Sequence, residues 1–251
     1  MISKNQIKQV NALHIKKFRD EQSLFIAEGV KIVNEILESH PKIIHQLFVT
    51  EEYLKGHYLA LRKHNLSCTT VTEDELKKIS LQSQPNKALA VCKYFGNEQP
   101  GIDLAKQFSF YLDDIRDPGN LGTILRMADW FGIKEIFCSK QSTELYNPKT
   151  IQSSMGAFLR VKVHYTEIKK VISGKKIPVY GALLNGENIY TQPLGNGLIV
   201  IGNEANGIAK ENLPLITHPI TIPAAESNKS ESLNAAMATA IICSEFFRRA
   251  L

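Results

Sequence analysis

Three short stretches place side chains capable of chemistry at the ends of apolar runs. In "DPGNLGTILRMADWFGI", residues 117–133, Asn120 and Arg126 stand six residues apart across a glycine-rich helix start. In "IGNEANG", residues 201–207, Glu204 lies between glycines and asparagines, and in "IPAAESNKSESLN", residues 222–234, Ser232 and Asn234 lead into the last apolar stretch. Each has a plain structural reading, because glycines satisfy turns and Ser232 or Asn234 can cap a helix. All three follow strand-like segments, however, so in one parallel sheet their ends would converge. The glycines of "GNLGTIL" and "GNEANG" do not form G-x-G-x-x-G, and G-x-x-x-x-G-K-[ST] is absent, so a nicotinamide-dependent dehydrogenase or a phosphate loop is not expected. No His/Cys cluster has metal-ligand spacing. Arg126 is too basic to be a simple proton acceptor, with a reference pKa above about 12, and a role as base would require that value to be strongly shifted. A guanidinium suits gripping an anion or stabilising an oxyanion as it develops.

These groups need strands behind them. "FSFYLDDI" precedes the first stretch, "GLIVIGNE" contains the second and "HPITIPAA" leads to the third. "EIFCS", "LRVKVHY" and "IPVYGALL" read as further strands. "NPKTIQSSMGAF" reads as a helix with Pro148 near its start, and "SLNAAMATAIICSEFFRRAL" as a long final helix with Ser232 or Glu231 near its start. Repeated strand-then-helix order predicts an α/β fold, a mostly parallel sheet with helices on both faces. Ligands of such sheets bind outside the carboxyl ends of the strands.

Ahead of this region, "YFGNEQPGIDLAKQ", residues 94–107, breaks every periodic pattern with Gly96, Asn97, Pro100 and Gly101. Residues 1–95 are therefore expected to form a first domain, 96–107 a linker and 108–251 a second domain. In the first, "EGVKIVNEILES" reads as an amphipathic helix. "IIHQLFVT", "LSCTTVT" and "ALAVCKYF" read as strands around the polar helix "EDELKKIS", which describes a small α/β domain.

Composition bounds the class. The 251 residues are 43% hydrophobic and 22% charged, the ordinary mix of a soluble globular protein. No apolar run approaches the roughly 18 residues of a membrane helix, so no membrane association is expected. "MISKNQIKQV" has no apolar stretch after its charges, so no signal peptide is expected. Cys68, Cys92, Cys138 and Cys243 are scattered, which fits a reducing, cytoplasmic compartment. The net charge of +5 is concentrated early, with 14 Lys+Arg against 10 Asp+Glu in residues 1–95. That excess is usually only a solvated surface, and alone it says little about a polyanionic partner.

"LDDIRDPGNLGTILRMADWFGI", "LIVIGNEANGI" and "ESLNAAMATAI" resemble, in order and spacing, the three motifs of the SpoU (TrmH-type) RNA ribose 2′-O-methyltransferases. The resemblance covers about residues 108–250. "FIAEGVKIVNEIL" is similar to the ribosomal-protein-like RNA-binding domain often placed before that catalytic domain. The resemblance implies S-adenosylmethionine as methyl donor, a C-terminal deep trefoil knot, and a homodimer whose active site lies at the subunit interface. It assigns donor contacts to backbone groups of Gly202, Ile222 and Leu233. It places Asn120, Arg126, Glu204, Ser232 and Asn234 around the reacting ribose, with Glu204 fixing the asparagine pair by hydrogen bonds. The expected substrate is structured RNA, ribosomal RNA before transfer RNA, because the first domain resembles modules that grip folded RNA by shape. A non-catalytic RNA-binding factor retaining the knot is the alternative from another class, and the five intact site residues argue against it.

Between Ile222-Pro223 and Ser232-Leu233-Asn234 stand eight residues, "AAESNKSE", where many family members carry six. This loop, 224–231, would wrap the donor. Trp130 and Phe131 are expected in the core or a dimer interface, and Arg248 and Arg249 as solvated charges favouring the end of the last helix. Asp113, Asp114 and Asp117 resemble a paired-carboxylate site, but structural or turn roles are expected of them.

Overall fold

The computed structural model describes residues 1–96, 98–225, 227 and 232–250. The chain divides into two compact units. One comprises Met1–Asn97 with Leu145–Leu159, the other Glu98–Glu144 with Arg160–Leu251.

In the first unit, helices α1 (Lys4–Ala12) and α2 (Lys16–Gln22) precede strand β1 (Leu24–Glu28). Helix α3 (Val30–Ser39), strand β2 (Ile44–Val49), helix α4 (Glu51–Lys63), strand β3 (Thr69–Thr70), helix α5 (Glu73–Lys77) and strand β4 (Ala88–Lys93) follow. The sheet order is β1-β4-β2-β3, antiparallel except for the β2–β3 pair. Val10, Leu13, Ile26, Phe48 and Leu89 share one core cluster. The Ser3/Gln6 capping box starts α1. Thr50 caps α4, whose acidic first turn and basic last turn complement the helix dipole. Of the strand expected over "LSCTTVT" only Thr69–Thr70 pairs.

Helix α7 (Pro148–Ser154) belongs to this unit although the sequence reading placed it in the second domain; helix α6 is described below. The reason is aromatic packing. Tyr146 stacks on Tyr94 with ring centroids 3.9 Å apart and lies 4.8 Å from Phe25, while Phe158 meets Phe25 edge-on at 5.9 Å. The Tyr146 hydroxyl accepts from Phe95 N at 2.8 Å and donates to the Phe95 carbonyl.

The second unit runs through strand β5 (Phe108–Leu112), helix α6 (Pro118–Trp130), strands β6 (Glu135–Cys138) and β7 (Lys162–Tyr165), and helix α8 (Ile168–Ile172). Strands β8 (Val179–Asn188), β9 (Gly197–Ile201) and β10 (His218–Thr221) and helix α9 (Ala235–Ala250) complete it. The six strands pair in the order β10-β8-β9-β5-β6-β7, every pairing parallel. Strands β5 and β9 are almost wholly buried, which is why they read as unbroken apolar runs. Tyr111, Phe137, Leu198 and Val200 belong to one core cluster.

Helix α6 starts where the sequence reading placed it. The Asp117 side chain accepts from Asn120 N at 3.0 Å, and Pro118 occupies the first turn, where its missing N–H costs nothing. Leu121, Ile124, Leu125 and Ala128 are buried, but Trp130 is 86% exposed and so is not a core residue. At α9 the cap is Asn234, whose Oδ1 accepts from Ala236 N at 3.0 Å and Met237 N at 3.3 Å. Glu231, the other expected start, lies outside the described residues.

Candidate active site

The carboxyl ends of β9 and β10 and the outer part of β8 open onto a cavity of about 680 Å³. Its wall is mostly apolar, with Leu183, Ile208, Leu213, Ile222 and Leu233, and its polar groups come chiefly from the 202–207 turn. Mixed apolar and polar lining at the carboxyl edge of a parallel sheet suits an organic ligand of intermediate size.

The 202–207 turn is built by Asn203. Its backbone exchanges two hydrogen bonds with Gly207, Asn203 N to Gly207 O at 3.0 Å and Gly207 N to Asn203 O at 2.9 Å. Its Oδ1 accepts from Ala205 N at 2.9 Å and Asn206 N at 3.1 Å, and its Nδ2 donates to the Asp114 carbonyl at 2.8 Å. Gly202 is required by space, since a Cβ there would stand 2.3 Å from the backbone of Gly207 and Ile208. The sequence reading missed Asn203; its only signal was a short polar residue between Gly202 and Glu204, a type that readily organises turns.

Of the residues singled out from the sequence, Gly202, Glu204, Ile222, Ser232 and Leu233 line this cavity. Asn120 and Asn234 join Glu204 through a hydrogen-bonded chain. Asn234 Nδ2 donates to Asn120 Oδ1 at 2.9 Å, and Asn120 Nδ2 donates to Glu204 Oε1. Asn234 thus uses its oxygen to cap α9 and its amide nitrogen to hold Asn120. Arg126 is not part of this chain: it is exposed on α6. At about 100° per residue, six helical positions leave Asn120 and Arg126 roughly 120° apart around the axis, so the two do not share a face. Of the 224–231 loop, Ala224 and Ala225 line the cavity, while residues 226 and 228–231 lie outside the described residues.

The three aspartates of the first motif are held in structural bonds. Asp113 is buried, Asp114 pairs with Arg116 at 2.9 Å, and Asp117 caps α6. Burial, with the Asp113 charge adding, pushes the Tyr111 hydroxyl up to about 12, so it stays a donor, reaching the Thr166 carbonyl at 3.1 Å. Burial likewise raises the Cys138 thiol, and raises that of Cys243 to about 12, which keeps both protonated and poor nucleophiles. Among the described residues no group of three His, Cys, Asp or Glu could hold a metal ion.

The fold and cavity define an α/β ligand-binding domain with polar machinery at one rim. Residues 107–244 match the SpoU rRNA Methylase family, and residues 4–90 match the MRM3-like substrate binding domain. The chain belongs to the SpoU rRNA methylase family. It is 30% identical to the 23S rRNA (guanosine(2553)-2'-O)-methyltransferase RlmP of Bacillus subtilis, over 96% of this chain and 95% of that one. A solved structure assigned to the TrmH family of RNA methyltransferases, from Porphyromonas gingivalis, is 36% identical with a TM-score of 0.84, covering 99% of both chains. An AdoMet-bound rRNA methyltransferase from Sinorhizobium meliloti is 25% identical with a TM-score of 0.84, covering 100% of this chain and 98% of its own.

Proposed function

We propose that this SpoU-family methyltransferase, which moves a methyl group from S-adenosylmethionine to a ribose 2′-oxygen of RNA, acts on ribosomal RNA as a cytoplasmic homodimer. The observation that carries the reading is the Asn234–Asn120–Glu204 chain at the rim of the 680 Å³ cavity. The cavity suits the donor: backbone groups at Gly202, Ile222 and Leu233 would hold its polar parts, and the aliphatic wall its adenine face. When bound, S-adenosylmethionine supplies an electrophilic methyl on a sulfonium.

The chain's own residues then orient the acceptor. Asn120, fixed from both sides by Glu204 and Asn234, positions the ribose, and Ser232 lies on the same wall. Arg126 grips the adjacent phosphate and stabilises the oxyanion that develops as the 2′-hydroxyl loses its proton. Its place on α6, away from the Asn120 face, suits service to the active site of the partner subunit in a shared interface. Exposed apolar residues on α6 and α9 support that dimer: Trp130 is 86% and Met237 59% exposed. Family membership supports a trefoil knot in the second unit. Ribosomal RNA is favoured because the Bacillus subtilis and Sinorhizobium meliloti relatives are named as rRNA methyltransferases. The four cysteines are free, which suits a reducing cytoplasm.

Two measurements test this. Calorimetry should show S-adenosylmethionine binding with equal affinity with and without chelator. Mapping 2′-O-methyl marks in RNA from cells with and without the gene should show one ribosomal position lost. A lost mark in transfer RNA, or no dependent mark, would overturn the ribosomal assignment.

A further inference from the structure

We propose that Asp113, at the exit of β5, is a positioning residue that holds the 208–213 wall of the donor cavity, with no part in proton transfer. The proposal rests on the reading of that cavity as the S-adenosylmethionine site. Asp113 is 3% exposed, and its backbone N donates to the Ile201 carbonyl at 2.8 Å, carrying the β5–β9 ladder one residue beyond β5. This fixes the direction in which the side chain leaves the sheet. Oδ2 accepts from Ala209 N at 2.9 Å and from Asn212 Nδ2 at 2.9 Å. Asn212 is itself 9% exposed, so its amide has little water to turn to. Ile208 and Leu213, which flank the two donors directly, both line the cavity.

The arrangement gives one buried oxygen charge-assisted bonds to two points three residues apart in a segment without regular secondary structure. Take the carboxylate away, and an amide N–H and a side-chain amide lose their acceptor while the segment between two cavity residues loses its anchor. The neighbouring Asp114 carbonyl holds Asn203 at 2.8 Å, so consecutive residues at the β5 exit anchor both the 203–207 turn and the 208–213 segment. A proton-handling role does not fit this geometry. Asp113 is not among the residues lining the cavity, and its Oδ2 is already committed to two hydrogen bonds.

The test titrates S-adenosylmethionine into the full chain and its variants by calorimetry, and follows single-turnover methylation of unmodified ribosomal RNA at saturating donor. Asp113→Ala should weaken donor binding about tenfold or more, the scale of losing charge-assisted bonds, and raise the KM for donor in step. Its rate at saturating donor should stay within about threefold of the parent. Asp113→Asn keeps an oxygen for the two donors and should restore most of the affinity. Asn212→Ala should give a smaller loss, and the double variant Asp113→Ala/Asn212→Ala should bind no worse than Asp113→Ala, because the pair acts as a unit. Should Asp113→Ala not fold, Asp113→Asn and Asn212→Ala carry the same comparison. Parental donor affinity in both alanine variants, or in Asn212→Ala alone where Asp113→Ala does not fold, would overturn the proposal. So would an Asp113→Asn that binds donor normally yet no longer turns over, since that marks a group handling protons. A parent protein that does not bind S-adenosylmethionine would overturn the donor reading itself, and this proposal with it.

Discussion

Truncating Asn120 separates the acceptor machinery from the donor cavity. The residue gives Nδ2 to Glu204 and receives Nδ2 of Asn234 at 2.9 Å, but it is not among the residues lining the cavity. Asn120→Ala therefore removes one hydrogen bond to a charged group and one neutral bond at once. Bonds of those kinds contribute about 1.5–3 and about 0.5–1.5 kcal/mol respectively. Asn120 and Glu204 are half-buried and Asn234 is exposed, so competition from water favours the lower end, about 2 kcal/mol in all. If that stabilisation is felt in the transition state, at about 1.36 kcal/mol per factor of ten, the rate falls roughly 30-fold. Donor affinity, measured by calorimetry, should change by less than about twofold. Asn120→Asp should be slower than Asn120→Ala, because it sets a second carboxylate against Glu204. Single-turnover methylation with preformed donor complex reads the step directly. An Asn120→Ala rate within about threefold of the parent would refute the placement of Asn120 beside the ribose.

Arg126→Ala should leave donor affinity unchanged and slow single-turnover methylation by a factor of about 10² or more. Arg126→Lys should recover little, because an ammonium lacks the two-pronged grip of a guanidinium, and a parental rate in Arg126→Ala would show the site to be misplaced. Trp130→Asp should weaken the dimer by about 30-fold or more in sedimentation, the effect of losing an aromatic anchor at an interface, and an unchanged dimer would exclude this face. Arg248 and Arg249 hold the Glu245 carboxylate at about 2, and Arg249 Nη2 also reaches the Tyr190 carbonyl at 2.6 Å. Because the folded-state value lies below the ordinary one near 4.3, this stabilisation is present above that pH and lost as pH falls towards 2. Thermal melts of the parent should therefore decline more steeply across that window than those of Glu245→Gln, and parallel profiles would remove the argument. Deleting residues 1–95 takes away Phe25 and Tyr94, so residues 96–251 should aggregate; a monodisperse fragment with parental donor affinity would contradict this.

How far the fold could be read depended on how many faces each element buries. Strands β5 and β9 are enclosed on both sides, and their apolar runs announce them. Helix α6 was legible from its Asp-Pro start and its buried Leu121, Ile124, Leu125 and Ala128. Helix α4 buries only Tyr53 and Leu61 in 13 residues, too little periodicity to show. Strand β8 was expected to end at Leu184 but runs on to Asn188, where its residues turn towards solvent and the apolar signal fades. Arg248 and Arg249 stay exposed in the last turn of α9, as expected, and what the sequence did not show is that both also bond Glu245, a carboxylate one helical turn back that lies almost out of solvent.

Local pattern has no means of saying which core a segment joins. The helix at Pro148–Ser154 is legible in the sequence, yet Tyr146 and Phe158, which flank it, pack on Phe25 and Tyr94, more than 50 residues earlier, and only tertiary contact reveals that. The site divides along the same line. Asn120, Glu204 and Asn234 could be picked out because polar residues interrupt apolar runs there, but the bonds joining them span 84 and 114 residues. Asn203 fared worse, since its side chain acts inward on backbone. A residue whose function is to hold a loop leaves no trace of it in the spacing of its neighbours. Arg126 shows the converse: its type announced chemistry, while helix geometry set it apart from the asparagine it had been paired with. In the proposed dimer a shared interface would resolve that separation by letting the arginine of one α6 serve the cavity of the other subunit, so the dimer and the placement of Arg126 stand or fall together.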